Sequence, residues 1–310
     1  MVTDTQTHSG HEQPEESDFF APPPEHIGEI LSAHTSLKRG DTPQGWGRRL
    51  ATALVSTGVG ALLGYGLARG LDLPPWEGPF FLWVTAGLIL GFLLGMDHGV
   101  FRGTCTYVGS QGLAEYTLKG SRCAVPKEKK LRFDEVCSLH VDKTENYGGL
   151  IYRDTSFDFA WKDRTGAIRY RIAGAYTKKG GSPDDPGHLY YYGMAAEDAW
   201  NSYELDRMLL VLENGGNIPF QVKDLTIELG LGHLNIYEGQ RRLKLDVAHI
   251  SSISLSRGII TVHSSKPQAR GWFSSSGKDG SLSFDYDDMP NATLFFWLVK
   301  TLAEGGSDSG

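Results

Sequence analysis

Residues 50–68 read LATALVSTGVGALLGYGLA, and residues 79–96 read PFFLWVTAGLILGFLLGM. Neither run holds a charged side chain. At about 1.5 Å per residue, a helix of this length crosses a hydrocarbon layer of about 30 Å with slight thinning of the bilayer. Uncharged runs this long favour membrane spans over buried core helices. The connection at 69–78, RGLDLPPWEG, carries Pro74 and Pro75 and is too short for a domain. The sequence therefore predicts a transmembrane hairpin over 48–98, with spans at 50–68 and 79–96.

The charges around the hairpin orient it. Lys38, Arg39, Arg48 and Arg49 precede the first span, and Arg102, Lys119 and Arg122 follow the second. The connection has only Arg69, beside Asp72 and Glu77. Basic flanks stay on the cytoplasmic side. The expectation is an integral protein of the cytoplasmic (inner) membrane with both termini cytoplasmic and with Trp76, Phe80, Phe81 and Trp83 at the outer interface. Small residues recur at every fourth position, as Ser56, Gly60, Gly64 and Ala68 in the first span and Gly87, Gly91 and Gly95 in the second. Such faces let helix backbones approach closely. They pack either on each other within one hairpin or between hairpins in a homo-oligomer. With no ionisable residue inside either span, a proton relay or ion-coupled transporter is poorly supported.

Elsewhere the chain is polar. Its 310 residues hold 30 Lys+Arg against 37 Asp+Glu, a net charge of -7. That balance argues against a nucleic-acid partner. Cys105, Cys123 and Cys137 make no disulfide framework, and Cys105 and Cys137 fall in strand patterns as small core residues. Residues 1–47 form an acidic, proline-interrupted tail, with seven acids and no Lys or Arg before Lys38. One-sided charge and low hydrophobicity predict disorder. Within it, 25–37 places Ile27, Ile30, Leu31 and His34 on one helical face.

From Val100 the apolar pattern changes to period two. Cys137, Leu139 and Val141 alternate with polar residues, as do Phe157, Phe159 and Trp161, and then Ile168, Tyr170 and Ile172. These are half-buried antiparallel strands. Residues 195–213 then carry Leu205, Met208, Leu209 and Leu212 at helical spacing. A second round of strands runs through Ile227, Leu234, Leu243, Ile253, Ile259 and Leu282, and 291–304 closes it as a helix. Val108-Gly109-Ser110-Gln111-Gly112-Leu113 with Tyr116 parallels Leu229-Gly230-Leu231-Gly232-His233-Leu234 with Tyr237 at an offset of 121. Phe133-Asp134-Glu135-Val136 parallels Leu245-Asp246-Val247-Ala248 at an offset of 112. A duplicated module follows, at 101–216 and 217–305, with 306–310 a flexible end.

Antiparallel strands closed by one amphipathic helix, beside membrane spans, resemble bacterial membrane proteins of uncharacterised function that carry tandem pleckstrin-homology-like (PH-like) domains. The resemblance rests on GSQGLAEY, FDEVCSL, LKLDVAHISSI and the terminal helices. It implies two split barrels, each of antiparallel strands plus one C-terminal helix, and a binding or scaffolding role rather than catalysis.

The stretch 119–132, KGSRCAVPKEKKLR, brings together Lys119, Arg122, Lys127, Lys129, Lys130 and Arg132 against Glu128 alone. Read as a loop near the membrane, it is a candidate site for anionic lipid headgroups, each basic residue being worth up to about 1 kcal/mol at an anionic leaflet. A smaller patch, Arg241, Arg242 and Lys244, sits in the second copy. No metal-ligand spacing, nucleotide loop or nucleophile motif is present, so no cofactor, metal or enzymatic activity is expected. The expectation is a non-enzymatic scaffold or adaptor that presents tandem PH-like modules to anionic lipid or a protein partner. The alternative is a homo-oligomeric, structural or pore-related assembly joined by the glycine faces, with a cytoplasmic ring of β modules.

Overall fold

A computed structural model describes residues 5–41, 46–75, 78–98, 101–120, 123–265 and 281–305. Arg122, Trp76 and the 306–310 terminus lie outside the described residues.

Two long helices, α1 (Trp46–Gly70) and α2 (Gly78–His98), form the hairpin. Both are long and apolar enough to cross a membrane, over Leu50–Gly70 and Gly78–Gly95. Only 11% and 17% of these windows are buried, so neither is the core helix of a soluble domain. Between them, Asp72 takes the left-handed conformation (φ 54°). Its N–H reaches the Arg69 carbonyl, and that of Leu73 reaches the Ala68 carbonyl, which closes α1. Edge-on packing of Tyr65 against Phe80, with ring centroids 5.6 Å apart, pins the two helices beside the turn.

The β region holds two rounds of the same plan, built wholly of antiparallel pairs. In the first, β2 (Arg102–Gly109), β3 (Gly112–Lys119) and β4 (Lys127–Arg132) make a sheet. A second sheet contains β5 (Ser138–Gly148), β6 (Ile151–Lys162) and β7 (Ile168–Tyr176), and α3 (Leu189–Glu213) follows. In the second round, β8 (Ile218–Val222), β9 (Leu225–Gly230), β10 (His233–Glu238) and β11 (Arg241–Asp246) make one sheet. β12 (Ile250–Ser256), β13 (Ile259–Ser264) and β14 (Leu282–Asp285) make the other, and α4 (Ala292–Gly305) follows. All four sheets are open.

The tail departs from expectation. It holds a strand, β1 (Ile30–Thr35), which pairs antiparallel with β2 and completes a four-stranded sheet in the order β1-β2-β3-β4. The helical face expected over 25–37 is instead a short 3-10 turn, Glu25–Ile27, followed by this strand. The cause is tertiary. Beyond Arg102, β2 carries apolar or neutral residues on both faces, with Val108 in the core on one side and Cys105 and Tyr107 on the other. Ala21, Ile27 and Ala33 cover that second side. Ile27 is fully buried, which stabilises the docked tail by about 1.5–3 kcal/mol. β1 therefore stands to β2 as β8 stands to β9, and the hairpin is an insertion between the first and second strands of the first module.

The internal repeat also needs one adjustment. The 121 offset matches the structure, since Gly109 and Gly230 each end a strand before a two-residue turn. Beyond the turn, Leu131 faces Leu113 and Leu245 faces Leu234. Leu131 is thus the counterpart of Leu245, an offset of 114 rather than 112. A two-residue slip keeps a strand's alternation and is invisible to pattern alone.

Helix α3 begins at Leu189, six residues before the helical spacing shows, because the His188 ring caps the Tyr190 N–H at 3.1 Å. It serves both rounds. Tyr190, Tyr192, Ala196 and Trp200 fill the first core, and Leu205, Leu209 and Leu212 pack into the second.

Candidate functional site

The small residues of the hairpin lie at the contact between α1 and α2. A Cβ on Gly60 would strike the Gly87 carbonyl, one on Gly64 the Trp83 carbonyl, and one on Gly91 the Ser56 carbonyl. One on Gly95 would come within 2.6 Å of the Ala53 Cα. Ala68 is fully buried. Ser56, Gly60, Gly64, Gly87, Gly91 and Gly95 are thus engaged between the two helices of one hairpin. Gly58 and Gly66 face open space.

The basic stretch is not one loop. Lys127, Lys129, Lys130 and Arg132 lie on β4, an edge strand of the first sheet. Leu131 alone of its six residues is buried. Lys129 donates to the Arg171 carbonyl at 2.9 Å, lies over the Tyr170 ring at 4.1 Å and approaches Glu115 at 3.9 Å. It bridges the first sheet to β7. Lys130 pairs with Glu128, and Arg132 holds Asp134 through two bonds of 3.0 and 2.6 Å. That contact keeps the Asp134 carboxyl below its usual range. Lys119 ends β3 opposite Arg102. The second module places Arg241, Arg242 and Lys244 on its own edge strand, β11. Charged side chains on an edge strand discourage pairing with another chain's strand, and both modules place them on the same strand of their plan.

Of the cysteines, Cys105 is buried in β2, Cys123 is exposed, and Cys137, expected in the core, is exposed just ahead of β5.

Sequence reasoning missed the joint between the modules. Asn291 sits before α4 in the left-handed conformation (φ 56°). Its N–H donates to the Leu139 carbonyl at 2.8 Å, and its Oδ1 accepts from the Leu139 N–H at 2.9 Å. The same Oδ1 accepts from the Trp200 indole at 3.0 Å, while Nδ2 donates to the Cys137 carbonyl at 3.2 Å. Asn291 therefore acts as a one-residue strand on the edge of β5. Beside it, Glu197 of α3 accepts from Tyr286 at 3.0 Å and Thr293 at 2.7 Å. Burial pushes the Glu197 carboxyl up, and these hydrogen bonds offset part of that rise. A Pro-Asn pair before a helix signals only a start, and nothing local marks Asn291 as a partner for a strand 152 residues earlier.

Past this joint the modules part into a cleft of about 680 Å³ between β5 and the β12–β13 turn. Val141 and Lys143 form one wall, with Leu255, Arg257 and Ile259 opposite. Lys223 lies at its rim and is neutralised by Asp285 and Asp288.

The chain matches no protein-family model and no curated protein.

Proposed function

We propose that this chain is a non-enzymatic, membrane-anchored binding platform. The hairpin spans the cytoplasmic membrane, both termini are cytoplasmic, and two PH-like modules are held at that face for a protein partner. One observation carries the reading: β1, before the hairpin, is hydrogen-bonded to β2, after it. Strands on opposite sides of a bilayer cannot pair, so both flanks of a spanning hairpin must lie on one side. The excess of basic residues at those flanks supports the cytoplasmic side. The repeated plan of a four-stranded sheet, a three-stranded sheet and a closing helix supports the PH-like assignment. The engagement of Lys129, Lys130 and Arg132 by neighbours favours a protein partner over lipid headgroups. The glycines already packed between α1 and α2 weigh against the oligomeric alternative.

Impermeant maleimide labelling of membrane vesicles tests the topology. The variants carry Cys137→Ser with native Cys123, or Cys123→Ser and Cys137→Ser with Ser9→Cys or Leu71→Cys. Positions 9 and 123 should react from one face and position 71 from the other. Reaction of all three from one face would remove the spanning hairpin, and opposite faces for 9 and 123 would remove the platform. Hydrogen exchange in nanodiscs tests the partner class. Slowing of β4 amides by anionic but not neutral lipid would return the reading to headgroups.

A further inference from the structure

Asn291 uses only the first outward-facing residue of β5. Along an antiparallel edge strand, alternate residues turn both their N–H and C=O groups away from the neighbour. The N–H and C=O of Leu139 both go to Asn291, so those of Val141 and Lys143 point the same way, into the cleft. The pairing of β5 with β6 is regular from Ser138 to Asn146, so no bulge alters this alternation. Among the described residues, these four groups have no backbone partner. The opposite wall presents Leu255 and Ile259, which are 47% and 40% exposed. Arg257, at the tip of the β12–β13 turn, has no ion-pair partner among the described residues, unlike its neighbour Lys223. The Lys143 ammonium is directed away, donating to the Tyr190 hydroxyl at 3.0 Å. Asp142 accepts from Thr144 at 2.7 Å, and Asp287 lies farther along the rim.

A ladder edge and a guanidinium that are both without partners among the described residues, with exposed apolar side chains opposite, describe one kind of occupant. We infer that the cleft receives an extended peptide segment, which continues on Val141 and Lys143 the ladder that Asn291 begins. Its apolar side chains meet Leu255 and Ile259, and a carboxylate meets Arg257. Backbone bonds supply the attraction in such strand addition, and alternate side chains supply the selectivity. The inference names the partner class for the platform proposed above. Its test makes no use of membrane topology, so the two readings fail separately.

The test uses the full chain in detergent micelles and three degenerate hexapeptide pools with alternating Val and Ile. One carries a fixed Glu, one a fixed Lys, and one the fixed Glu with N-methylated alternate amides. The Glu pool should bind saturably and slow hydrogen exchange at the Val141 and Lys143 amides at least tenfold. The N-methylated pool should not. Val141→Pro removes an outward N–H and leaves the β6 ladder intact, as protection of the Ala160 amide will report, and it should abolish binding. Arg257→Glu, in an exposed turn, should weaken the Glu pool about tenfold and favour the Lys pool. No slowing by any pool, equal binding of the N-methylated pool, or unchanged binding to Val141→Pro would overturn the inference.

Discussion

The two modules share a plan and differ in how it is completed. The second is continuous: β8 leads directly through a tight turn into β9, and β9 alternates buried and half-buried residues along most of its length. The first is split. Its opening strand lies before the hairpin, and its sheet is covered on both faces, by its own core and by residues 19–33 of the tail. The same sheet can thus be closed from within or by a distant segment. The distant segment needs a ready-made landing surface, and the Gly109-Ser110-Gln111-Gly112 turn supplies it. The Ser110 and Gln111 N–H groups reach the Glu29 and Ile27 carbonyls, both at 2.8 Å. A Cβ on Gly109 would collide with Ile27.

Deleting residues 1–41 should separate the modules most sharply. It strips β1 from β2 and exposes Tyr107, for a loss on the order of 5 kcal/mol in the first module. Exchange mass spectrometry should find β2 and β3 amides unprotected while β9 and β10 stay protected. Equal loss in both would mean that the modules fold as one unit.

Asn291→Ala attacks the joint. It leaves the buried Leu139 N–H and Trp200 indole without an acceptor and puts Ala at a positive φ, at a cost of about 3 kcal/mol. Denaturant unfolding should split into two transitions. Asn291→Gly should split them too, since it relieves the backbone but not the donors.

In the hairpin, Gly60→Val should force the helices apart at a cost of about 1–3 kcal/mol in micelles. Gly66→Ala, which meets nothing, should leave the helix contact intact and leave thermal unfolding unchanged or slightly raised. If both variants behave alike, the helices do not pack through this face.

The remaining effects are set by pH, and they have opposite signs at the two joints. His8 of the tail bonds Ser32 at 2.8 Å and Thr106 at 2.9 Å and lies against Tyr192. Burial, aided by the nearby His34, lowers its pKa to about 3. The unfolded tail takes up a proton below about 6.5 and the docked tail does not. Docking is therefore full above that pH and weakens as pH falls, by about 2 kcal/mol at pH 5. Limited proteolysis of the tail should accelerate between pH 7 and 5, and His8→Asn should reduce that dependence, leaving the part due to His34, whose pKa burial also lowers. Glu197 behaves inversely. Its raised carboxyl favours the protonated form in the fold, so the joint is strongest in acid and weakens as pH rises through the folded value. Glu197→Gln should flatten that slope in denaturant titrations.

Much of this architecture is written locally. The helices announce themselves by uncharged length, and most strands of the four sheets by alternation. What escaped pattern reading depends on partners distant in the chain. Ile30–Thr35 carries too few apolar residues to declare a strand, and its partner lies beyond the whole hairpin. Lys127–Arg132 lacks alternation because an edge strand needs only Leu131 inside. Cys137 falls in phase with Leu139 and Val141 but precedes the strand, where alternation has not begun. Among the site residues, the glycine face was legible because small side chains have few other uses in a long apolar helix. The joint was not, since Asn291 and Glu197 look like ordinary cap and surface residues until their partners are in view.

The interrupted sheet also sets a clock on synthesis. β1 leaves the ribosome first and waits while residues 36–101, the hairpin among them, are made, roughly 3–13 seconds at about 5–20 residues per second. Under the proposed topology, β2 arrives beside β1 only after both helices have entered and returned through the bilayer. A hairpin that failed to return would leave the first module with an unpaired edge, open to proteases. Completion of that module is thus a record that both flanks of the hairpin ended on one side of the membrane.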